Sequence, residues 1–315
     1  MRVFLTGGTG FLGSHLAAAL SAEGHEVVAS VRATSDTRWL DPLEVETAVV
    51  DLASADVTTL AQALDRCDAV LHCGGLTRAK NEAGFMAVNA LGSERLARAA
   101  VEAGARRFVF VSSLAARGPD EASGPISPYG RSKAEGERLI SALAGDLDVV
   151  IVRPGGVYGP HDSDLFPLFE MARKGLIVVP RSSQPLQPVF VDDAVSATIG
   201  ALAATPTGEP LPIAHPALHP WASLAEALES AVGRSSRIIR VPPSVFWTVG
   251  LLSEVGALAT RKPPAMDRRK ARDMSVHRWT CDITSTREAI GWTPEIDIEE
   301  GLARTAAWYR EAGWL

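Results

Sequence analysis

The chain is short of cysteine, of net positive charge and of long apolar runs, and each shortage removes a class of protein. Cys67, Cys73 and Cys281 are its only cysteines among 315 residues. They are too few and too scattered for a disulfide framework, and none has a metal-ligating partner at close spacing, so no metal site is expected. This usage fits a reducing compartment. A formal net charge of −6 argues against a phosphate-backbone partner, so no nucleic acid is expected. Locally, Arg261, Lys262, Arg268, Arg269, Lys270 and Arg272 form a basic stretch, which reads as a solvated helix face. The most apolar run, Val245 to Ala259, carries Glu254 and is shorter than the roughly 20 residues a membrane span requires. It reads as a buried or lid helix, with contact to a membrane surface or an apolar substrate left open, and no integral membrane segment is expected. Met1 to Gly7 enters a strand and a glycine turn at once, which leaves no room for a signal peptide. The expected location is cytoplasmic.

What is present is an alternation of apolar strands and helices. The hydrophobic share of 46% and the charged share of 22% are ordinary for a globular protein. Short apolar runs at Val3-Phe4-Leu5, Glu26 to Val31, Val45 to Val50, Ala69 to Cys73, Phe108 to Val111 and Val149 to Val152 read as six strands. Helices are expected from Phe11 to Glu23, stopped by Gly24, from Glu82 to Ala103, stopped by Gly104, and from Tyr129 onward behind Pro128. Continuous apolar strands separated by helices indicate a parallel sheet covered on both faces. The expected fold class is therefore α/β, a Rossmann-type doubly wound parallel sheet. Beyond His161 prolines multiply and the rhythm loosens, which indicates a smaller C-terminal mixed α/β domain. The expected division is a dinucleotide-binding domain over residues 1–162, with about 188–204 returning to it and Val189-Phe190-Val191 joining the main sheet, and a substrate domain over 163–315.

Thr6-Gly7-Gly8-Thr9-Gly10-Phe11-Leu12-Gly13 joins the first strand to the first helix. Gly7 permits a tight turn, Gly10 lets backbone approach a pyrophosphate, and Gly13 lets helix pack closely on sheet. The N–H groups at the helix start, from Phe11 and Leu12 onward, then face the phosphates. The second strand ends in Ser30-Val31-Arg32-Ala33, with no carboxylate before Asp36. An acid there would hold ribose hydroxyls and repel a 2′-phosphate, whereas Arg32 offers donors suited to phosphate. NADP is favoured over NAD, with stacking of Arg32 on the adenine as the other reading. Asp51, followed by Leu52, closes the third strand, where it accepts a bond from an adenine amino group or simply caps a turn.

The sharpest signal is Ser127-Pro128-Tyr129-Gly130-Arg131-Ser132-Lys133. Tyr129 and Lys133 lie one helical turn apart on one face. An ammonium nearby is expected to favour the phenolate and lower the tyrosine pKa, so that the tyrosine exchanges a proton with a substrate oxygen while hydride moves. The lysine can also bond the nicotinamide ribose. Ser112-Ser113 closes the fifth strand at its carboxyl end, where open parallel sheets bind ligands. Ser113 is the candidate to hold the substrate oxygen, and Ser112 is expected to bond backbone.

Together these residues resemble the extended short-chain dehydrogenase/reductase family, also called the NAD-dependent epimerase/dehydratase family. The likeness runs through His72-Cys73-Gly74-Gly75, Asn89 to Ser93, Arg153-Pro154-Gly155-Gly156-Val157-Tyr158-Gly159-Pro160, Val189 to Asp193 and Gly291-Trp292-Thr293-Pro294, and covers essentially the whole chain. It implies Ser113, Tyr129 and Lys133 as catalytic residues, Gly74, Gly75, Pro154 and Val157 near the cofactor, and Asn89 as support. It also implies a homodimer paired through the helices near 82–103 and 129–144. Nucleotide-sugar members often carry an Arg-Asp pair just before the strand ending in Val-Asp-Asp, where the arginine grips a diphosphate; here that stretch is Leu186-Gln187-Pro188, with Arg268 or Arg269 available to compensate in part. Val31-Arg32 is similar instead to NADPH-dependent ketone reductases related to dihydroflavonol reductases. The leading expectation is an NAD(P)-dependent oxidoreductase acting on a ketone or secondary alcohol, with Tyr129 as general acid/base. The alternatives are a nucleotide-sugar epimerase or dehydratase with tightly bound NAD, and a non-catalytic NADP-binding sensor.

Overall fold

Strand runs such as Val3-Phe4-Leu5 and Phe108-Val109-Phe110 are apolar on both faces, and a strand of that kind is stable only inside a covered parallel sheet. In the structure, a computed structural model that describes residues 1–120, 122–181, 184–242, 245, 248 and 279–315, this is how they are used. In chain order the strands are β1 (Arg2–Thr6), β2 (Glu26–Val31), β3 (Glu46–Val49), β4 (Ala69–His72), β5 (Arg107–Val111), β6 (Asp148–Pro154), β7 (Gly156–Tyr158), β8 (Leu176–Pro180), β9 (Pro188–Phe190), β10 (Leu211–Ile213) and β11 (Arg237–Val241). The helices are α1 (Phe11–Ala22), α2 (Val57–Ala63), α3 (Glu82–Phe85), a π-helical turn (Met86–Gly92), α4 (Ser93–Glu102), α5 (Leu114–Arg117), α6 (Pro128–Ser141), α7 (Phe166–Arg173), α8 (Val191–Gly200), α9 (Trp221–Val232), α10 (Thr284–Ile290) and α11 (Ile298–Glu311). No described helix is long and apolar enough to cross a membrane.

The chain divides into two units. The first comprises Met1–Gly155, Val191–Ile213 and Cys281–Thr293. It holds a seven-stranded sheet of order β10-β6-β5-β4-β1-β2-β3, parallel throughout. The doubly wound parallel sheet expected from the sequence is therefore present, and its order reverses between β1 and β4. That reversal opens a crevice at the carboxyl ends of the strands, the usual ligand position in such sheets. Helix α1 packs with α8, while α2, α4 and α6 pack together. The largest buried side chains between the sheet and the second group are Phe4, Phe108, Phe110, Leu60 and Leu96.

The second unit comprises Gly156–Phe190, Ala214–Thr280 and Pro294–Leu315. It contains two small parallel sheets, β7 with β9 and β8 with β11, and the helices α7, α9 and α11. Phe166, Phe169, Tyr309 and Trp314 form its aromatic centre. The Tyr309 hydroxyl donates to the Asp162 carbonyl at 2.5 Å.

Several expectations change here. Residues 188–190 do not return to the main sheet; they pair with 156–158, and the seventh strand is Leu211–Ile213. Val191 begins α8 rather than ending a strand, because Asp192 and Asp193 in its first turn favour a helix start. Cys281–Thr293 sits with the first unit, where Thr286 donates to the Pro212 carbonyl and Trp292 to the Ser196 hydroxyl. The helix expected over Glu82 to Ala103 carries a π-helical turn at its centre. Helices α2 and α5 are short and were not expected, although Asp56 and Ser113 cap them. The apolar run Val245 to Ala259 and the basic stretch from Arg261 to Arg272 lie, apart from residues 245 and 248, outside the described residues.

One ion pair, buried at Glu137 and partly exposed at Arg153, ties α6 to two strands. Glu137 accepts from Arg153 Nε at 2.9 Å and Nη2 at 2.5 Å, and from the Ser112 hydroxyl. Ser112 thus bonds a side chain from α6, not the backbone as expected. Replacing one partner of such a pair leaves the other charged and desolvated, which costs about 3–5 kcal/mol. Glu137→Gln is expected to lower the urea-unfolding free energy by about that amount, and Glu137→Leu with Arg153→Met to recover most of it. A single variant within about 1 kcal/mol of the parent would show that the pair does not hold the two elements together.

Candidate active site

The glycine loop is built to bring backbone close to a ligand. Gly7 has φ +75°, and its N–H and carbonyl sit in a turn in which Gly10 N–H donates to the Gly7 carbonyl at 2.9 Å. A Cβ at Gly13 would lie 1.9 Å from the Gly7 carbonyl oxygen, so only glycine lets α1 start this close to β1. A Cβ at Gly10 would meet only that oxygen, at 3.3 Å, which leaves its outer side open. Gly10 caps α1 with no side-chain bond. The amides of Phe11, Leu12 and Gly13 therefore have no intrahelical carbonyl to bond, and the positive end of the helix is bare. A loop of this shape fits the pyrophosphate of a dinucleotide.

The neighbouring predicted residues line the same strand ends. A Cβ at Gly7 would lie 2.8 Å from the Gly74 N, and one at Gly74 would lie 2.8 Å from Thr6 Oγ1 and 3.1 Å from Leu52 Cδ1. Gly74, Leu52 and the loop are thus mutually close. Gly75 is exposed, and its missing Cβ leaves room 3.4 Å from Lys133 Nζ. The Asp51 carboxylate accepts from the Ala53 N–H at 2.9 Å, so it closes a turn, one of the two readings open from sequence. Arg95 fastens that turn through the carbonyls of Leu52, Ala53 and Ala55. Arg32 is exposed just past β2, its N–H donating to Ser35 Oγ at 3.0 Å. The first acid beyond it, Asp36, is paired with Arg38, which holds its carboxyl below the usual range. Pro154 ends β6 in the first unit, whereas Val157 lies in β7 of the second.

Ser113, Tyr129 and Lys133 come together at the end of β5. Ser127 caps α6 by accepting from Gly130 N–H at 3.0 Å, and Pro128 starts it. Two glycines on α6 let it approach closely. A Cβ at Gly130 would lie 2.3 Å from the Ala115 carbonyl, and one at Gly136 2.5 Å from that of Asn89. Lys133 is buried; its ammonium donates to the Val111 carbonyl at 2.8 Å and sits 4.7 Å from the Phe110 ring centre. Burial pulls it down to about 8, against the opposing influence of Cys73 and Glu137.

The Tyr129 ring lies edge-on to Phe85, with centres 6.1 Å apart. Burial raises its pKa, and a hydrogen bond with the Ser113 side chain acts in the other direction. This corrects the expectation of a tyrosine lowered by its lysine. The desolvation of the phenol sets the direction, so the hydroxyl stays protonated through the neutral range. Such a group donates a proton more readily than it accepts one. Cys73, at the end of β4, is pushed up to about 11 by burial and remains a thiol.

Beneath the site lies a set of buried polar residues, of which the sequence pointed only to Asn89, as support. Thr6, His72, Asn89, Ser93 and Ser132 are fully buried. The signal was available in Thr6 and His72, polar residues that end two otherwise apolar strands. Among the described residues no group of three or more His, Cys, Asp or Glu side chains could hold a metal ion.

Comparison with known proteins agrees with this geometry. The model of the "NAD dependent epimerase/dehydratase family" matches residues 3–214. The ceramide reductase of Caulobacter vibrioides is 33% identical over 320 residues, covering 99% of this chain and 96% of that protein. The 2-alkyl-3-oxoalkanoate reductase of Stenotrophomonas maltophilia is 29% identical over 339 residues, covering 98% and 99%. Among solved structures, the dTDP-glucose 4,6-dehydratase DesIV of Streptomyces venezuelae, with NAD bound, superposes with a TM-score of 0.79 at 26% identity, covering 100% of this chain and 98% of that one. The glycine loop at the β1–α1 turn, the tyrosine–lysine pair on α6 and these likenesses make the chain an enzyme of the short-chain dehydrogenase/reductase type, a member of the NAD-dependent epimerase/dehydratase family.

Proposed function

We propose that the enzyme reduces a ketone on a predominantly apolar substrate, with NADPH as hydride donor. The observation that carries this reading is the Tyr129 phenol, whose pKa burial raises and the neighbouring Ser113 side chain lowers, the burial prevailing. The cofactor supplies hydride to the carbonyl carbon. Ser113 donates to the carbonyl oxygen and orients it. Tyr129 Oη passes its proton to that oxygen as negative charge develops there. Lys133 spends one N–H on the Val111 carbonyl and keeps two donors for the cofactor ribose and for the phenolate left after transfer. The glycine loop and the start of α1 hold the pyrophosphate, with Leu52, Gly74, Gly75 and Pro154 around the rest of the cofactor.

Two observations support an apolar ketone over a nucleotide sugar. Leu186-Gln187-Pro188 supplies no cation for a diphosphate, and an unpaired diphosphate binds poorly in a desolvated cleft. Two of the curated relatives, those compared above, are named as reductases, and the names of both refer to substrates that carry alkyl chains. The competing reading, an epimerase or dehydratase holding NAD throughout its cycle, draws support from the likeness to DesIV.

With long-chain 3-oxo esters as probes, the enzyme is expected to consume one NADPH per ketone. Tyr129→Phe is expected to lower turnover at least about 100-fold while NADPH affinity stays within about 3-fold. Unchanged turnover in that variant would remove Tyr129 from the chemistry, and a purified protein already loaded with NAD and inert to added NADPH would favour the competing reading.

For cofactor choice, the exposed Arg32 just past β2 supports NADPH because it offers donors suited to a 2′-phosphate, and a charge-assisted bond of that kind is worth about 1.5–3 kcal/mol. Arg32→Ala is expected to weaken NADPH binding about 10- to 100-fold in a fluorescence titration and to leave NADH almost unaffected. Tighter binding of NADH than NADPH by the parent enzyme would contradict this assignment.

A further inference from the structure

The buried polar residues under the site form one continuous chain of hydrogen bonds, and its direction can be worked out. Gly74 N–H donates to Thr6 Oγ1 at 2.9 Å, and Thr6 Oγ1 lies 2.6 Å from His72 Nδ1. His72 Nε2 lies 2.7 Å from Ser93 Oγ, which donates to the Asn89 carbonyl at 2.8 Å. The single Ser93 hydroxyl proton is thereby used, so His72 must donate through Nε2–H and accept at Nδ1 from Thr6. Burial holds the imidazole down to about 3, with the Lys133 charge acting the same way, so it stays neutral and keeps this tautomer. From Asn89 the chain continues. Its Nδ2 donates to Ser132 Oγ at 3.0 Å and to the Leu76 carbonyl at 2.9 Å, and Ser132 donates to the Tyr129 carbonyl at 2.7 Å.

We propose that His72 is a positioning residue: its imidazole, fixed between Thr6 and Ser93, couples the glycine loop after β1 to the first turn of α6, which carries Tyr129. The proposal rests on the reading of Tyr129 as proton donor. The histidine suits the task because it places one acceptor and one donor at opposite ends of a rigid ring. That ring is stacked on Phe110, with centres 5.3 Å apart at 22°, and meets Phe108 edge-on, so it has no freedom to adjust. The π-helical turn completes the path by placing the Asn89 carbonyl toward Ser93 while its amide reaches α6. A fully satisfied buried network of this kind moves as a unit, so a change at one end is felt at the other.

The test uses the full chain with Thr6→Val and Ser132→Ala, singly and together. These residues share no hydrogen bond with each other, and each variant is milder than replacement of His72. Amide hydrogen exchange without added ligand is the readout, since it does not depend on activity. Thr6→Val is expected to speed exchange of residues 130–133 at least 3-fold, and Ser132→Ala to do the same for residues 7–10. The double variant should exceed the larger single effect by less than 2-fold, and in a His72→Phe background neither change should add anything. Effects confined to the neighbours of each substitution, multiplying in the double variant, would overturn the proposal. Tyr129→Phe measured alongside separates the two readings. Loss of its turnover with no exchange coupling removes only the role of His72, whereas coupling with retained turnover supports the relay and removes only the role of Tyr129.

Discussion

The site depends on how closely α6 lies against the end of β5 and the π-helical turn. Missing side chains set that distance: a Cβ at Gly130 or Gly136 would run into the carbonyl of Ala115 or Asn89. With the helix seated, Lys133 reaches the Val111 carbonyl, Glu137 reaches Ser112 and Arg153, and Tyr129 comes within reach of Ser113. A helix held even an ångström farther out would lose all three connections, because hydrogen bonds weaken steeply with distance. Steric constraint at two glycines thus precedes the electrostatics of the site.

That seating places charged and polar groups in a poorly hydrated layer, and burial then governs their chemistry. The lysine is drawn down to about 8, the thiol of Cys73 is pushed up to about 11, and the phenol is raised as well. These directions share one cause, the cost of a charged form away from water. The buried groups that must stay ordered are each given partners, as in the Thr6–His72–Ser93–Asn89 chain and the Glu137–Arg153 pair. An unpaired polar group in that layer would cost about 1–3 kcal/mol.

Much of this was legible in the sequence. The glycine spacing marks the β1–α1 turn because backbone geometry there admits no side chain, and Pro128 with Tyr129 and Lys133 marks α6 because caps and helical spacing are local. The central strands could be read because they are apolar on both faces, and the edge strand β3 because a short run of Val and Ala marks it. What was not legible depended on partners far apart in sequence. Ser112 meets Glu137 and His72 meets Ser93 only after folding, and neither contact has a local signature. Val189-Phe190-Val191 has the composition of a core strand, yet its hydrogen bonds go to Gly156–Tyr158, a choice that composition cannot express. The sign of the Tyr129 shift was misread for the same reason: the lysine is visible four residues away, whereas the burial that outweighs it is a property of the assembled layer.

The central claim is that burial keeps Tyr129 a neutral phenol able to donate its proton. The chain has only three tyrosines, so labelling with ¹³Cζ-tyrosine gives three resonances, and loss of one in Tyr129→Phe identifies the group. The account predicts that this resonance still holds its phenol position at pH 9 in the free enzyme and titrates at higher pH than an ordinary tyrosine, since burial raises it. A resonance that moves to the phenolate position below pH 9 would contradict it, and would return control of the site to the lysine.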